Sequence, residues 1–448
     1  MSYASLMWDF LAFRRAAESS RAKIDAVREK RLRALLAHAH DRSRYYRELY
    51  GGAGISRGDL ATAPLAALPA TDKAAIMERF DDAVCAPGVT RDALISFDQG
   101  EADLGAVFGG AYHVVHSSGS TGKPGYFLYD ERAWRQVILG IIRGALWGMT
   151  AVEVFKLMAS RPRVLYVAAT DGRYGGVMAV GDGVASLKME QRSLDINTPL
   201  SAWRETVREF DPSVVIGYPS AIKILAELLE SGGADAAIRL VVSCGEPLGA
   251  GLRAFFESVF GASVVNFYGA SESLALGVET DPAEGMVLFD DLNWIEASPD
   301  GMYLTSLCNF AQPLIRYRLS DELVVRGTPA RSRCAFSRVE SVRGRSEDLL
   351  WFDDGRGGRE FLHPLAVEGF NVEGLRDYQF RKVGDDAFEM TAEVPDHARR
   401  ASVRDEMLRQ MRPILQANGL ARIGFDVRFP DGIAPDPRTG KKRLIVLE

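Results

Sequence analysis

The sequence predicts an α/β fold: a large multi-subdomain N-terminal domain with mostly parallel sheets plus a β subdomain, followed by a small α+β C-terminal domain. Three observations carry this expectation. Between residues 164 and 267, short apolar runs rich in β-branched residues alternate with stretches of helical length, as right-handed βαβ units on a parallel sheet require. From 285 to 326 the pattern changes to shorter strands separated by turns. Beyond residue 350 about a hundred residues carry strand, strand, helix and strand patterns of their own, enough for a small separate core.

Composition bounds the function. A chain of 448 residues has room for two or three domains, and 47% apolar residues can fill their cores. The formal charge of −6 provides no basic face for nucleic acid or an anionic membrane, so a polyanionic partner has to be met locally. Asp9 interrupts the apolar start of the chain and no small-residue cleavage site follows, which argues against a signal peptide. No uninterrupted apolar stretch reaches membrane-spanning length. The cysteines, Cys85, Cys244, Cys308 and Cys334, lie far apart without a C-x-x-C pair, as expected of reduced packing residues in a cytoplasmic protein.

Taken in order, residues 14–50 read as a surface-capping helical segment with Ile24, Val27, Leu32, Leu35 and Leu36 at helical spacing. Its basic residues are interleaved with acids, as on a solvated face. Residues 68–73 end a loop and start a helix, with Thr71 or Asp72 as N-cap. Residues 112–129 read as strand, loop, strand, with a helix beginning near Asp130. A strand over 164–169 is followed by a glycine-rich loop over 172–183, where the backbone could approach a ligand or simply turn. Helix over 203–210, strand over 213–218, helix over 220–229, strand over 240–243, helix to Phe260 and strand over 263–267 complete the alternation. In the last hundred residues the strands fall near 378–383, 388–394 and 424–429, and the helix over 399–417. Parallel sheets bind ligands at the carboxyl ends of their strands. Three glycine-bearing turns fall there, at Gly217-Tyr218-Pro219, Gly245-Glu246-Pro247 and Tyr268-Gly269-Ala270-Ser271-Glu272.

The loop after residue 116 carries the strongest local signal. His116-Ser117-Ser118-Gly119-Ser120-Thr121-Gly122-Lys123-Pro124-Gly125 has too little bulk for a core and too many hydroxyls for an idle linker. Gly119 and Gly122 let successive N–H groups turn towards an anion, Ser117, Ser118, Ser120 and Thr121 add neutral donors, and Lys123 adds a positive charge. The polyphosphate of a nucleotide suits such a cradle. The spacing excludes a P-loop NTPase, because Pro124 stands where that motif needs a metal-binding hydroxyl. A plain Ser/Gly hairpin would share this composition. His113 and His116 lack further ligands and read as packing or hydrogen-bonding residues.

Taken together, the motifs resemble the adenylate-forming superfamily of acyl-CoA synthetases, most closely its phenylacetate-CoA ligase-like branch. The similarity covers nearly the whole chain: the cradle, Gly217-Tyr218-Pro219-Ser220, Ser243-Cys244-Gly245-Glu246-Pro247-Leu248, Asn266-Phe267-Tyr268-Gly269-Ala270-Ser271-Glu272, Pro313-Leu314-Ile315-Arg316-Tyr317-Arg318-Leu319-Ser320-Asp321, Gly344-Arg345-Ser346-Glu347-Asp348 and Thr439-Gly440-Lys441 come in the family order. The resemblance implies that the cradle holds the leaving pyrophosphate of ATP and that Glu272 is a ligand of Mg²⁺, with Ser271 beside the phosphate. It implies a ribose-binding role for Asp321, and an adenine slot formed by Gly245, Glu246 and Pro247 with Asn266, Phe267, Tyr268 and Gly269. Lys441 would bridge the substrate carboxylate and the α-phosphate. Arg345 and Glu347 fall at the family hinge, which divides residues 1–346 from a mobile small domain, 347–448.

Two departures stand out. The hinge position usually holds Asp or Lys, and here it is Glu347; the cysteine pair that some relatives carry before the hinge is reduced to Cys334, so no structural zinc is expected. The implied reaction is ATP-dependent activation of an aromatic or arylalkanoic carboxylic acid and transfer of the acyl group to coenzyme A. A non-CoA acceptor, another anion such as nitrite, or a non-catalytic nucleotide-binding assembly protein are the alternatives. The implied partner is a small-molecule acid, without nucleic acid or membrane, and the resemblance leaves room for a homodimer.

Overall fold

The computed structural model describes residues 3–100, 105–117, 125–168, 170, 173–195, 200–232, 236–298, 301–319, 321–325, 334–345, 350–353, 359–362, 367, 370, 372–417, 420–430, 432–433 and 445–446. Helices α1 (Tyr3–Ala17), α2 (Arg21–Arg42) and α3 (Arg44–Gly52) open the chain, and the short α4 (Lys73–Glu78), α5 (Phe80–Ala83) and α6 (Arg91–Asp98) follow. A hairpin of β1 (Tyr112–His116) and β2 (Tyr126–Asp130) leads into α7 (Glu131–Ala145) and α8 (Ala151–Ala159). The alternating stretch is β3 (Arg163–Ala168), α9 (Gly175–Ser186), β4 (Glu190–Asp195), α10 (Leu200–Phe210), β5 (Val214–Gly217), α11 (Pro219–Glu230), β6 (Leu240–Cys244), α12 (Ala250–Phe260) and β7 (Ser263–Ala270). Strands β8 (Ser273–Glu279), β9 (Met286–Leu288), β10 (Asn293–Ser298), β11 (Gly301–Ser306), β12 (Tyr317–Leu319), β13 (Asp321–Val325) and β14 (Arg338–Arg345) come next. The C-terminal part holds β15 (Leu350–Asp353), β16 (Arg359–Leu362), β17 (Asp377–Gly384), β18 (Ala387–Glu393), α13 (Arg400–Ala417), β19 (Gly424–Arg428) and β20 (Ile445–Val446).

Among the described residues nine strands form one sheet in the order β13-β14-β9-β8-β7-β6-β5-β3-β4. From β4 to β7 the pairing is parallel, and from β7 outward it is antiparallel. The parallel half explains the apolar runs: Leu165, Val215 and Val241 are fully buried, as they must be in a sheet covered on both faces. Strand β7 runs on through Gly269 to pair with β8, so the third predicted turn shrinks to Ser271 and Glu272.

Two expectations change on contact with the fold. Residues 175–183 of the loop expected over 172–183 belong instead to α9 (Gly175–Ser186). Its glycines are there for close approach: a Cβ on Gly175 would fall 2.3 Å from Leu274 Cδ2, and one on Gly176 would fall 2.4 Å from the Tyr166 hydroxyl. The N-terminal helices are more than a surface cap, because Leu32, Leu35, Leu36, Tyr46 and Tyr50 are fully buried in the main core, whereas Val27 is exposed. The choice of N-cap also resolves. Asp72 accepts from Ala75 N–H at 2.9 Å and starts α4, while Thr71 is buried and shares a hydrogen bond with the Tyr45 hydroxyl.

Thr71 is also stitched to a distant strand. Its N–H donates to Arg316 O at 3.1 Å and its carbonyl accepts from Arg318 N–H at 2.8 Å, so the approach to α4 runs as an extra strand beside β12. Nearby, the Tyr46 hydroxyl donates to Pro313 O at 2.9 Å and accepts from Ile315 N–H at 3.2 Å. Buried apolar residues fall into two clusters, one reaching from Phe10 to Val339 and the other from Leu350 to Ile445. In the second, α13 covers a four-stranded sheet of order β19-β18-β17-β20. No helix among the described residues is long and apolar enough to cross a membrane.

Candidate active site

The hairpin of β1 and β2 brings both ends of the Ser/Gly loop together. Its last strand pair is His116 with Tyr126, and beyond it Ser117 N–H donates to Gly125 O while Gly125 N–H donates to Ser117 Oγ, both at 2.8 Å. The Ser117 Oγ thus accepts across the stem. Ser118, Gly119, Ser120, Thr121, Gly122 and Lys123 lie outside the described residues. Lys73, the first residue of α4, donates from Nζ to Ser117 Oγ at 3.3 Å.

The turn between β7 and β8 docks against this hairpin. Ser271 Oγ donates to His116 O at 3.4 Å, and the Tyr129 hydroxyl donates to Ser271 O at 2.7 Å. Next to it the Glu272 carboxylate, 9% exposed, accepts from the Tyr317 hydroxyl at 3.2 Å. Burial, and then the Glu272 charge, pushes both Tyr129 and Tyr317 well above the usual phenol range. Both rings are therefore neutral donors around a carboxylate. A buried carboxylate in the turn that docks on the stem of the Ser/Gly loop suits Mg²⁺, which is held by one or two carboxylates together with substrate phosphates.

The residues expected at the nucleoside end come from three strand ends. Parallel pairing sets Ser243 beside Asn266 and Cys244 beside Phe267, so Gly245, Glu246 and Pro247 emerge next to Tyr268. Gly245 has φ +80°, a left-handed conformation that a side chain would strain, and this turns the chain sharply away from β6. Glu246 spends its carboxylate elsewhere: it accepts from Ser220 N–H at 3.0 Å and from Ser220 Oγ at 2.9 Å, capping α11 and tying two of the glycine-bearing turns together. Only the Glu246 backbone is left to line an adenine slot. The Tyr268 hydroxyl donates to Asp321 Oδ2 at 2.8 Å, and Asp321 is the strand partner of Arg345. The hinge residue Glu347 and the predicted bridging residue Lys441 lie outside the described residues.

Comparison with known proteins agrees with this geometry. The family model for AMP-binding enzymes matches residues 111–289, from the hairpin through β9. Phenylacetate-coenzyme A ligase of Pseudomonas putida is 25% identical over 87% of this chain and 88% of its own length. The enzyme of the same name from Thermus thermophilus is 24% identical over 95% of this chain and 97% of its own. The chain is similar to adenylate-forming ligases along most of its length. Its fold is similar to that of 2-hydroxyisobutyryl-CoA ligase in its postadenylation state, with a TM-score of 0.71, 20% identity, and coverage of 97% of this chain and 91% of the other.

Three contributors to the candidate site had no role assigned to them from the sequence. Tyr129 and Tyr317 gain their roles only when β2 and β12 meet the Ser271-Glu272 turn. Lys73 gains its role because Thr71 is hydrogen-bonded beside β12, which carries the start of α4 to the stem of the loop. Lys73→Met is expected to raise the KM for ATP about fivefold, the scale of one charged hydrogen bond in a partly exposed site, with the KM for the acid unchanged. Steady-state kinetics with each substrate varied checks this; equal KM values for ATP in mutant and parent would reduce Lys73 to a prop for Ser117.

Proposed function

We propose that this enzyme activates an aromatic or arylalkanoic carboxylic acid with ATP and passes the acyl group to coenzyme A. The observation that carries the reading is the docking of Ser271 and Glu272 on the stem of the Ser/Gly loop, in a chain similar along most of its length to phenylacetate-coenzyme A ligases. In the first step a carboxylate oxygen attacks the α-phosphorus, the bond to the β-phosphate oxygen breaks, and pyrophosphate leaves. In the second, the CoA sulfur attacks the acyl carbonyl, AMP leaves, and the thiol proton passes to solvent.

Each residue then has a task. Residues 118–123 receive the pyrophosphate, with Lys73 at their base. Asp321, held by Tyr268, takes the ribose hydroxyls, and the Gly245–Pro247 backbone flanks the adenine. Glu272 is the protein ligand for Mg²⁺, which supplies charge neutralisation at the phosphates. Lys441 meets the developing charge between carboxylate and α-phosphate. The reading carries with it a cytoplasmic location, no nucleic-acid partner, and room for a homodimer. Incubation with ATP, Mg²⁺ and a panel of aryl acids, with and without CoA, tests it: acid-dependent pyrophosphate release and a CoA thioester are expected. Release without thioester for every acid would assign a different acceptor, and no acid-dependent release would remove the activity altogether.

Residues 1–346 and 347–448 are proposed as two units that turn about Glu347. The end of one apolar cluster at Val339 and the start of the other at Leu350 support this division. Proline at 347 fixes φ near −65° and removes a backbone donor, so the turn is hindered while both cores are untouched. Glu347→Pro is expected to keep acid-dependent pyrophosphate exchange within severalfold of the parent and to lose most thioester formation. Equal loss of both half-reactions would place the hinge elsewhere.

A further inference from the structure

Asp98, the last residue of α6, belongs to none of the motifs, yet its side chain is only 8% exposed and reaches the stem of the phosphate hairpin. Its Oδ2 accepts from His116 Nδ1 at 2.8 Å and from the Tyr126 hydroxyl at 3.2 Å. His116 is the last residue of β1 and Tyr126 the first of β2, and the two are direct partners in the antiparallel register. Directly opposed side chains project from the same face of a hairpin, so one carboxylate oxygen spans the final strand pair before the loop. Burial pushes the Tyr126 phenol up to about 12, with the Asp98 charge adding to it, which keeps that group a donor.

The same strand pair is held from its other sides. His116 N–H donates to Arg173 O at 3.1 Å, the Tyr174 ring meets the His116 ring edge-on at 4.7 Å, and Arg173 stacks its guanidinium over Phe97 at 4.4 Å. The His116 carbonyl accepts from Ser271 Oγ. With Nδ1 given to Asp98, His116 Nε2 is buried and finds no hydrogen-bond partner among the described residues. A buried acceptor left unpaired costs on the order of 1–3 kcal/mol. An apolar residue at 116 would avoid that cost, so the imidazole is explained by what its other nitrogen does.

We propose that Asp98 is a positioning residue for the pyrophosphate end of the site: by clasping His116 and Tyr126 it sets the spacing of the two stems from which the Ser/Gly loop springs. The inference rests on reading that loop as the phosphate cradle. It predicts an effect confined to the β- and γ-phosphates, because the nucleoside contacts come from β6, β7 and β13 and share no atom with the clasp. In Asp98→Asn the amide oxygen can take the place of Oδ2 and accept both hydrogen bonds, so the variant removes the charge that strengthens them. In Tyr126→Phe one donor is lost and the ring stays.

Calorimetric titration of the full chain with magnesium pyrophosphate, ATP and AMP reads the difference, and a melting curve accompanies each variant. Asp98→Asn is expected to weaken pyrophosphate and ATP by about tenfold, the scale of withdrawing the charge from two hydrogen bonds, and to leave AMP within about twofold of the parent, the scale of experimental scatter. Tyr126→Phe should move the same ratio by about threefold. AMP falling as far as ATP, or all three affinities unchanged, would overturn the proposal and leave Asp98 a residue of the fold. Should Asp98→Asn fail to fold, the pyrophosphate-to-AMP ratio in Tyr126→Phe decides alone. Lys123→Ala separates the two layers of the reading. If it leaves pyrophosphate affinity intact, the cradle assignment falls and takes the clasp with it; if it weakens pyrophosphate while both clasp variants do not, only the clasp falls.

Discussion

Lys441→Ala is expected to lower acyl-adenylate formation about 10²–10³-fold, the scale of deleting one preorganised donor at a developing charge, while ATP binding stays close to that of the parent. The reason is that the lysine ammonium is needed only when the carboxylate and the α-phosphate, both anions, approach each other. On the proposed reading, ground-state ATP is already held by the Ser/Gly loop, Glu272 and Asp321. Lys442, the next residue, offers the same charge without the preceding glycine that lets the backbone approach, so Lys442→Ala should cost far less. Single-turnover pyrophosphate release and equilibrium ATP titration check the two halves of the expectation. Equal losses from both lysines would reduce the segment to a basic tail.

Glu272→Gln is expected to slow pyrophosphate exchange by about 10²-fold, as for loss of a group that neutralises phosphoryl charge, and to raise the magnesium concentration needed for half-maximal rate. An amide is a poorer ligand than a carboxylate for a hard cation. The environment sharpens the test, since Glu272 is buried and accepts from the Tyr317 hydroxyl at 3.2 Å, a contact the amide oxygen can retain. The variant should therefore fold normally, and the loss is one of charge. Superimposable magnesium titrations of mutant and parent would make Glu272 a structural residue.

What could be read in advance depended on whether its physical cause lay nearby in the chain. Val214, Val215 and Ile216 announce a buried parallel strand by themselves, and Asp130 announces the start of α7 because its carboxylate accepts from Ala133 N–H only three residues on. Gly175 and Gly176 pointed the other way. Glycine disfavours a helix interior, and what makes them necessary is Leu274 and the Tyr166 hydroxyl, which reach α9 only through the sheet. Glu246 was legible as part of a turn beside the nucleoside, but the partner of its carboxylate, Ser220, belongs to a different motif. Ser117 reads as an anion donor by composition, and that its Oγ also accepts from Gly125 N–H to close the hairpin follows only from the pairing of β1 with β2. Asp98 and Lys73 sit in stretches with no motif at all, and only tertiary packing brings them to the loop.

The bond from the Tyr46 hydroxyl to Pro313 spans 267 residues, and it sets an order of events on the ribosome. At roughly 5–20 residues per second, the acceptor is made about 13–53 s after the donor. Throughout that interval the Tyr46 hydroxyl exists without either of its partners, Pro313 O and Ile315 N–H. A buried polar group of the first helices is thus satisfied only after the parallel strands have been made. A messenger truncated before the codon for Pro313 would yield a chain in which that hydroxyl has neither bond, a weakened species of the kind that chaperones retain and proteases clear.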